Sequence, residues 1–173
     1  MSLSYALLTA LMEKSGTGSE LSSRFEKSIG YFWSASHQQI YRELSGLHHA
    51  GLVDAEEHPN SQGRRRVFSI THSGKTALQE WLVQTEVPAP IRDAFLVRLR
   101  ALSSLTQPDV EKMLTARLAV HRTKLAGFKA IRKRDFGSGA LSRKDRVQAL
   151  ILDAGIRNEL SYIQLIEDVL DTL

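Results

Sequence analysis

Leu3, Leu7 and Leu11 recur at helical spacing, as do Leu21, Phe25, Ile29 and Phe32, with the glycine-rich break Ser15-Gly16-Thr17-Gly18 between the two runs. Two short amphipathic helices are predicted there. A third is expected from about Ser36 to Ala50, burying Ile40, Leu44 and Leu47 on one face and ending at Gly51. Its start carries a capping box, because Ser36 is followed three residues later by Gln39 and each side chain can satisfy the other's free backbone N–H. Beyond Gly51 the period shortens. Leu52 to Glu56 and Arg66 to Ile70 read as strands joined by the turn residues Pro59-Asn60-Ser61-Gln62-Gly63, which predicts a β-hairpin. Thr71 can cap a fourth helix carrying Ala77, Leu78, Trp81 and Leu82, and Pro88 and Pro90 then break the chain, so a first domain is expected over residues 1–86.

The remainder, residues 91–173, reads as entirely helical. A short helix surrounds Phe95, Leu99 and Leu102. Thr106 with Asp109, and Pro108 in the first turn, are expected to open a long helix carrying Val110, Leu114, Leu118, Leu125 and Phe128. After the break Phe136-Gly137-Ser138-Gly139, Ser142 and Asp145 can cap a last helix whose seam is Leu152, Ile156, Leu160, Ile163, Ile166, Leu170 and Leu173. Within one small domain only the Val110 to Phe128 helix is left to cover that seam, and a single pairing covers one side of it. These seven residues therefore predict a homodimer. The expected fold class is mainly α with a small β-hairpin wing: an N-terminal winged helix-turn-helix, then an all-helical C-terminal dimerisation and effector domain.

Composition narrows the function classes. With 173 residues, 42% of them apolar and 24% charged, the chain has the make-up of a folded globular protein. It has no cysteine, which excludes a disulfide framework, a thiolate metal site and a cysteine nucleophile, and a cytoplasmic location is expected. No apolar run approaches the ~20 residues of a bilayer span, and Met1 to Met12 lacks the basic start and cleavage site of a signal peptide, so no membrane partner is expected. The net charge of +4 is mild, but its distribution is uneven. Residues 1–86 hold 8 Lys/Arg against 9 Asp/Glu, and residues 87–173 hold 15 against 10. If the first half binds DNA, a local cluster must do it.

Three helices, a hairpin and a further helix follow the order of a winged helix-turn-helix, whose third helix enters the major groove. At 100° per residue, the stripe opposite Ile40, Leu44 and Leu47 is Gln38, Arg42, Ser45 and His49, flanked by Gln39, Tyr41 and Gly46. Glutamine can bond adenine bidentately and arginine guanine, so Gln38 and Arg42 are the foremost candidates for base contacts. Gln39 is also committed to the cap, and Tyr41 can pack its ring while its hydroxyl reaches a phosphate. A polar outer face is equally what a solvated helix shows. Arg64, Arg65 and Arg66 follow Gly63 at the hairpin, where three guanidinium groups can track a phosphate backbone or simply blunt a sheet edge. A winged-helix module that binds protein and not DNA would use the same face.

Several of these residues resemble a known pattern. Trp33 and Ser36, then Ile40-Tyr41-Arg42 with Leu44 and Leu47, then Gly51-Leu52-Val53, are similar in order and spacing to the recognition-helix segment of the PadR-like transcriptional regulators. Gly63-Arg64-Arg65-Arg66 and Phe68-Ser69-Ile70-Thr71 resemble that family's wing, followed by Gly74, Leu78 and Trp81, with Gly18, Glu20 and Leu21 at the second helix. His48 and His49 stand where the family often has an acidic or other polar residue. The resemblance implies a homodimeric repressor on double-stranded, pseudo-palindromic operator DNA, with C-terminal helices making the dimer and, in some members, a small aromatic or phenolic effector. Trp81 and Phe95 flank the Pro88 and Pro90 segment in sequence and are the expected effector-pocket residues, although tryptophans more often anchor cores.

Catalysis finds no support in the motifs. The six histidines, His37, His48, His49, His58, His72 and His121, include no pair at metal-ligand spacing on a helix. Gly16 and Gly18 lack the third glycine and preceding strand of a dinucleotide site. No enzyme activity, catalytic residue, metal or cofactor is expected. His121 lies in phase with Leu114, Leu118 and Leu125 and is expected to be a satisfied interface histidine. Lys129, Arg132, Lys133 and Arg134 close the long helix, where cations complement its macrodipole.

Overall fold

The computed structural model describes residues 2–27, 35–57, 66–87, 90–105, 108–137 and 139–173, without the side chains of Ser2, Glu26 and Lys27. Ile29, Phe32, Trp33, the turn 59–63, Arg64, Arg65, Pro88 and Thr106 lie outside the described residues. The chain divides into two compact units, Met1–Pro88 and Ala89–Leu173.

The first unit contains α1 (Ser2–Glu13), β1 (Gly16–Thr17), α2 (Gly18–Lys27), α3 (His37–His49), β2 (Val53–Glu57), β3 (Arg66–Ile70) and α4 (His72–Leu82). The β2–β3 hairpin runs in the register Val53 to Ile70 through Glu57 to Arg66. The glycine-rich break is more than a break: Gly16 and Thr17 pair antiparallel with Phe68 and Val67, giving a three-stranded sheet in the order β1-β3-β2. A two-residue strand has no period of its own and exists only through its partner. One apolar core joins the helices to the sheet, built on Leu7, Leu8, Leu21, Phe25, Ile40, Leu44, Val53 and Phe68.

Two local devices fix where α3 ends and α4 begins. Gly51, at φ +69°, turns the chain in the left-handed region, its N–H donates to the His48 carbonyl and that of Leu52 to the Leu47 carbonyl. This double closure satisfies the last carbonyls of α3. Thr71 then caps α4, its Oγ1 accepting from the Gly74 N–H at 3.0 Å and donating to the Gly51 carbonyl at 2.8 Å. Gly74 is buried so closely that a Cβ would stand 2.1 Å from the Leu52 carbonyl oxygen.

The second unit contains α5 (Ala94–Leu102), α6 (Val110–Phe136) and α7 (Arg143–Leu170). Asp109 is the residue before α6 and makes no side-chain cap bond, and Pro108 lies in the preceding turn, outside the first helical turn expected for it. At α7 the capping box between Ser142 and Asp145 forms as the spacing predicted. α6 and α7 run antiparallel, since Arg132 pairs with Asp153, His121 with Glu159 and Arg122 with Glu167. Phe95, Val110, Leu114, Leu118, Leu125, Ile163 and Ile166 form the core.

Candidate nucleic-acid interface

The capping box of α3 forms as a reciprocal pair, with the Ser36 N–H donating to Gln39 Oε1 at 2.8 Å and the Gln39 N–H to Ser36 Oγ at 3.3 Å. Ile40, Leu44 and Leu47 are buried, which anchors one face. Gln38, Arg42, Ser45 and His49 are all exposed on the other. Gln39 is exposed but holds the cap. His49 Nδ1 donates to the Ser45 carbonyl at 2.7 Å, and His48, half-buried, bonds the Val53 carbonyl at 3.0 Å, tying the end of α3 to β2.

Tyr41 sits between these faces. Its ring covers Gly18 so closely that a Cβ there would lie 2.3 Å from Cε1, which docks α3 on the first residue of α2 while leaving the tyrosine 47% exposed. The start of α2 is itself capped. Glu20 N–H donates to Thr17 Oγ1 at 3.3 Å, while Thr17 N–H at 2.8 Å and Thr17 Oγ1 at 3.0 Å both donate to Glu20 Oε2, and these two Thr17 donors, the backbone first, hold the Glu20 carboxyl below its ordinary range. Thr17-Gly18-Ser19-Glu20 is the same box signature that marked α3, and it is legible in the sequence once the flanking glycines are not taken for a loop.

The wing is less cationic where it is described. Arg66 is exposed at the first position of β3 and faces Glu57 across the pair, with Asp54 and Glu56 also exposed on β2. Arg64 and Arg65 lie outside the described residues.

The other expected sites distribute as follows. Trp81 stacks on Tyr5, ring centroids 4.6 Å apart, within the first unit. Phe95 is buried in the core of the second, with the Arg117 guanidinium 3.9 Å from its ring centroid. Arg117, His121 and Lys124 with Ala116 and Val120 line an open groove of about 360 Å³. His121 has the partner its phase called for: its Nδ1 lies 2.5 Å from Glu159, and its ring stacks on Tyr162. Of the seven seam residues, Leu152, Ile163 and Ile166 are buried and Ile156 and Leu170 half-buried inside their own chain, while Leu160 and Leu173 are exposed. The seam is not one continuous outward face. α6 covers most of it, because the buried line of α7 runs 152, 156, 159, 163, 166, 170 and passes through Glu159, leaving Leu160 outside. Val147, Leu150 and Ile151, which the sequence reading passed over, form the larger exposed apolar group on α7.

Among the described residues no group of three His, Cys, Asp or Glu side chains is placed to hold a metal, and no helix is long and apolar enough to cross a membrane.

Comparison with known proteins gives two family models in tandem. The transcriptional regulator PadR-like family matches residues 7–80, and the virulence activator alpha C-terminal model matches residues 91–173. A probable transcriptional regulator of Mycobacterium tuberculosis is 34% identical over 100% of this chain and 98% of its own length. The negative transcriptional regulator PadR of Bacillus subtilis is 27% identical over 97% of this chain and 95% of its own. Its crystal structure with operator DNA superposes with a TM-score of 0.86 at 26% identity, covering 99% of each chain, and its structure with p-coumaric acid with a TM-score of 0.81 at 26%, covering 99% and 98%. The Vibrio cholerae virulence activator AphA gives a TM-score of 0.82 at 32% identity over 98% and 96%.

Proposed function

Since this chain belongs to the PadR-like family of transcriptional regulators, we propose that it is a homodimeric, sequence-specific DNA-binding repressor of the cytoplasm, released by a small effector. Residues 1–86 read the duplex, and residues 91–173 join two copies and receive the effector. The observation that carries this reading is the exposed stripe Gln38, Arg42, Ser45 and His49 on a helix locked into the core by its opposite face and capped at the end that would enter the groove. Gln38 and Arg42 read base edges, and Ser45, Tyr41 and Gln39 lie beside them. Arg64, Arg65 and Arg66 hold phosphates. Two readers on successive major-groove faces about 34 Å apart occupy a pseudo-palindromic operator and exclude polymerase.

The dimer uses α7, through Leu160, Leu173 and the seam positions left half-covered by α6. The effector is a small aromatic or phenolic compound, a class supported by the relative bound to p-coumaric acid. Trp81 and Phe95 are the residues proposed to respond to it, and the groove beside Phe95, with Arg117 and Lys124, suits a carboxylate. An effector that favours one state of the dimer by about 1–3 kcal/mol changes operator occupancy about 5- to 150-fold.

The test is duplex binding at ~50 mM salt with the region upstream of the protein's own gene, where affinity should fall steeply as salt rises. Gln38→Ala or Arg42→Ala should cost ~1–3 kcal/mol and relax preference at one base position, whereas Arg66→Ala should weaken all sequences alike. Absence of duplex binding overturns the reading, and full discrimination by the Gln38 and Arg42 variants overturns the reading face.

A further inference from the structure

The positive charge of this chain is concentrated in one place. Residues 124–146 hold eight Lys/Arg and two Asp/Glu, a local +6 in a chain whose total is +4, so the remainder is net acidic. They form the closed end of the α6–α7 hairpin. Arg132 pairs with Asp153 at 2.9 Å and donates to the Phe136 carbonyl, and Arg134 forms a two-bond pair with Asp135. Lys129, Lys133, Arg143 and Arg146 are exposed and make no ion pair among the described residues.

The helix macrodipole accounts for the cations that close α6, where the unpaired carbonyls attract positive charge. It does not account for those that open α7. Arg143, Lys144 and Arg146 occupy the first turn of that helix, at its positive end, where cations are disfavoured, and only Asp145 has the sign the dipole prefers. Arg143 and Arg146, held against the local field without an ion pair among the described residues and beside a second cationic helix end, point to an anion from outside the fold. Among the described residues 124–146 there is no exposed large apolar side chain, since those on either side are Val120 and Val147. Within the patch itself no apolar side chain offers the buried anchor of a protein interface or the apolar face of a membrane-surface helix; the exposed Val147, Leu150 and Ile151 begin at its edge and continue along α7. Guanidinium and ammonium groups without such an anchor match a phosphate backbone.

We propose that the α6–α7 tip is a second, sequence-independent DNA contact, in which Lys129, Lys133, Arg143 and Arg146 grip duplex phosphates outside the segment read by α3. The proposal rests on the DNA-binding function stated above. α6, with 27 residues, is about 40 Å long. That length carries the tip a full duplex turn, about 34 Å, from the root of the hairpin.

The test compares the full-length protein with its Lys133→Gln/Arg143→Gln/Arg146→Gln variant on two duplexes, one trimmed to the half-sites and one extended by about one turn of ~10 base pairs on each side. On the extended duplex the variant should lose at least tenfold in affinity at low salt, and its slope of log affinity against log salt should flatten by about 0.9 per lost phosphate contact. On the trimmed duplex the two proteins should match. Arg42→Ala should weaken both duplexes alike, which separates the tip from the reading face. The triple variant should remain a dimer in sedimentation and melt no earlier than the parent, because it relieves the first turn of α7. Equal slopes on the extended duplex overturn the proposal, as does conversion to monomer, which would make the tip a subunit contact. Loss of binding to anionic vesicles with DNA affinity unchanged would assign the patch to a membrane and also overturn it. If the parent binds neither duplex, this inference and the function it rests on fall together.

Discussion

In the first unit the large buried side chains are apolar, whereas in the second a His121–Glu159 pair, each residue 7% exposed, sits in the middle of the helix packing. The difference follows from the geometry each unit must fix. Four helices and a sheet meet from different directions in the first, so a slipped element would leave a visible hole, and the caps and the Gly74 contact already set the ends of α3 and α4. Two long antiparallel helices lack that protection. Leu114, Leu118 and Leu125 on α6 and Ile156, Ile163 and Ile166 on α7 repeat at heptad spacing, so a slide by one heptad, roughly 10 Å, would bury nearly the same surface. A polar layer that can be satisfied in only one alignment removes the alternative.

Breaking that layer should give the largest effect. His121→Leu or Glu159→Leu alone should cost about 3–5 kcal/mol in chemical denaturation followed by helix circular dichroism, because each leaves its partner buried and unpaired. The double replacement should recover most of the loss while relaxing the alignment. A double variant as unstable as the sum of the singles would remove the pair from its register role.

In the first unit the corresponding lesion is steric. Gly74→Ala pushes a methyl group into the Leu52 carbonyl at the crossing of β2 and α4, and a thermal melt should report a loss of about 1–3 kcal/mol. A neutral outcome would mean that the α4 start is free to shift, and with it the comparison between a tightly indexed and a slippable unit would fail.

The same contrast explains what the sequence could reveal. The ends of α3, α4 and α7 were legible because Ser36 with Gln39, Thr71, and Ser142 with Asp145 act on neighbours in the chain. β1 was not, because Gly16 and Thr17 become a strand only by pairing with β3. The seam of α7 was misaligned by one residue for a subtler reason. Hydrophobic periodicity selects Leu160 and skips a glutamate, yet 152, 159 and 166 are spaced by strict heptads and Glu159 is the buried one. The signal that would have found it is His121 in the matching phase of α6, a buried base that needs a buried acid. The exposed polar stripe of α3 was legible because its apolar face, Ile40, Leu44 and Leu47, is complete, whereas Arg64 and Arg65 fall outside the described residues.

Caps allow a finer comparison. Ser36→Ala and Ser142→Ala remove equivalent bonds, and each should cost about 1 kcal/mol of stability. Only Ser36→Ala should also weaken operator binding, since it frays the turn that presents Gln38. Equal effects of the two on affinity would mean that α3 is not presented through its first turn.

The smallest expected effect concerns acid and alkali. In the second unit Asp93 accepts from the Phe95 N–H at 2.7 Å and from the Tyr162 hydroxyl, and these donors, Tyr162 first, hold its carboxyl below the ordinary value of 3.8. The same bond raises the Tyr162 phenol above 10.0. A depressed carboxyl stabilises the fold above its unfolded value, and that contribution is lost as pH falls below 3.8 through the folded value; a raised phenol stabilises below 10.0 and loses its contribution as pH rises from there. Glu20 in the first unit is depressed in the same direction by Thr17, without a tyrosine counterpart. Both units should therefore weaken in acid, and the Asp93–Tyr162 bond should add an alkaline loss that belongs to the second unit. Asp93→Asn keeps an acceptor for the Phe95 N–H but has no charge to titrate, so its melting-temperature gap to the parent should be level from pH 5 to pH 8 and narrow below about pH 4. The gap should be small, because Asp93 is only half-buried and solvent screens it. A gap that stays level down to pH 2.5 would mean that the carboxylate form is not preferred by the folded chain, and the hydrogen bond to Tyr162 would have to be read as one between neutral groups.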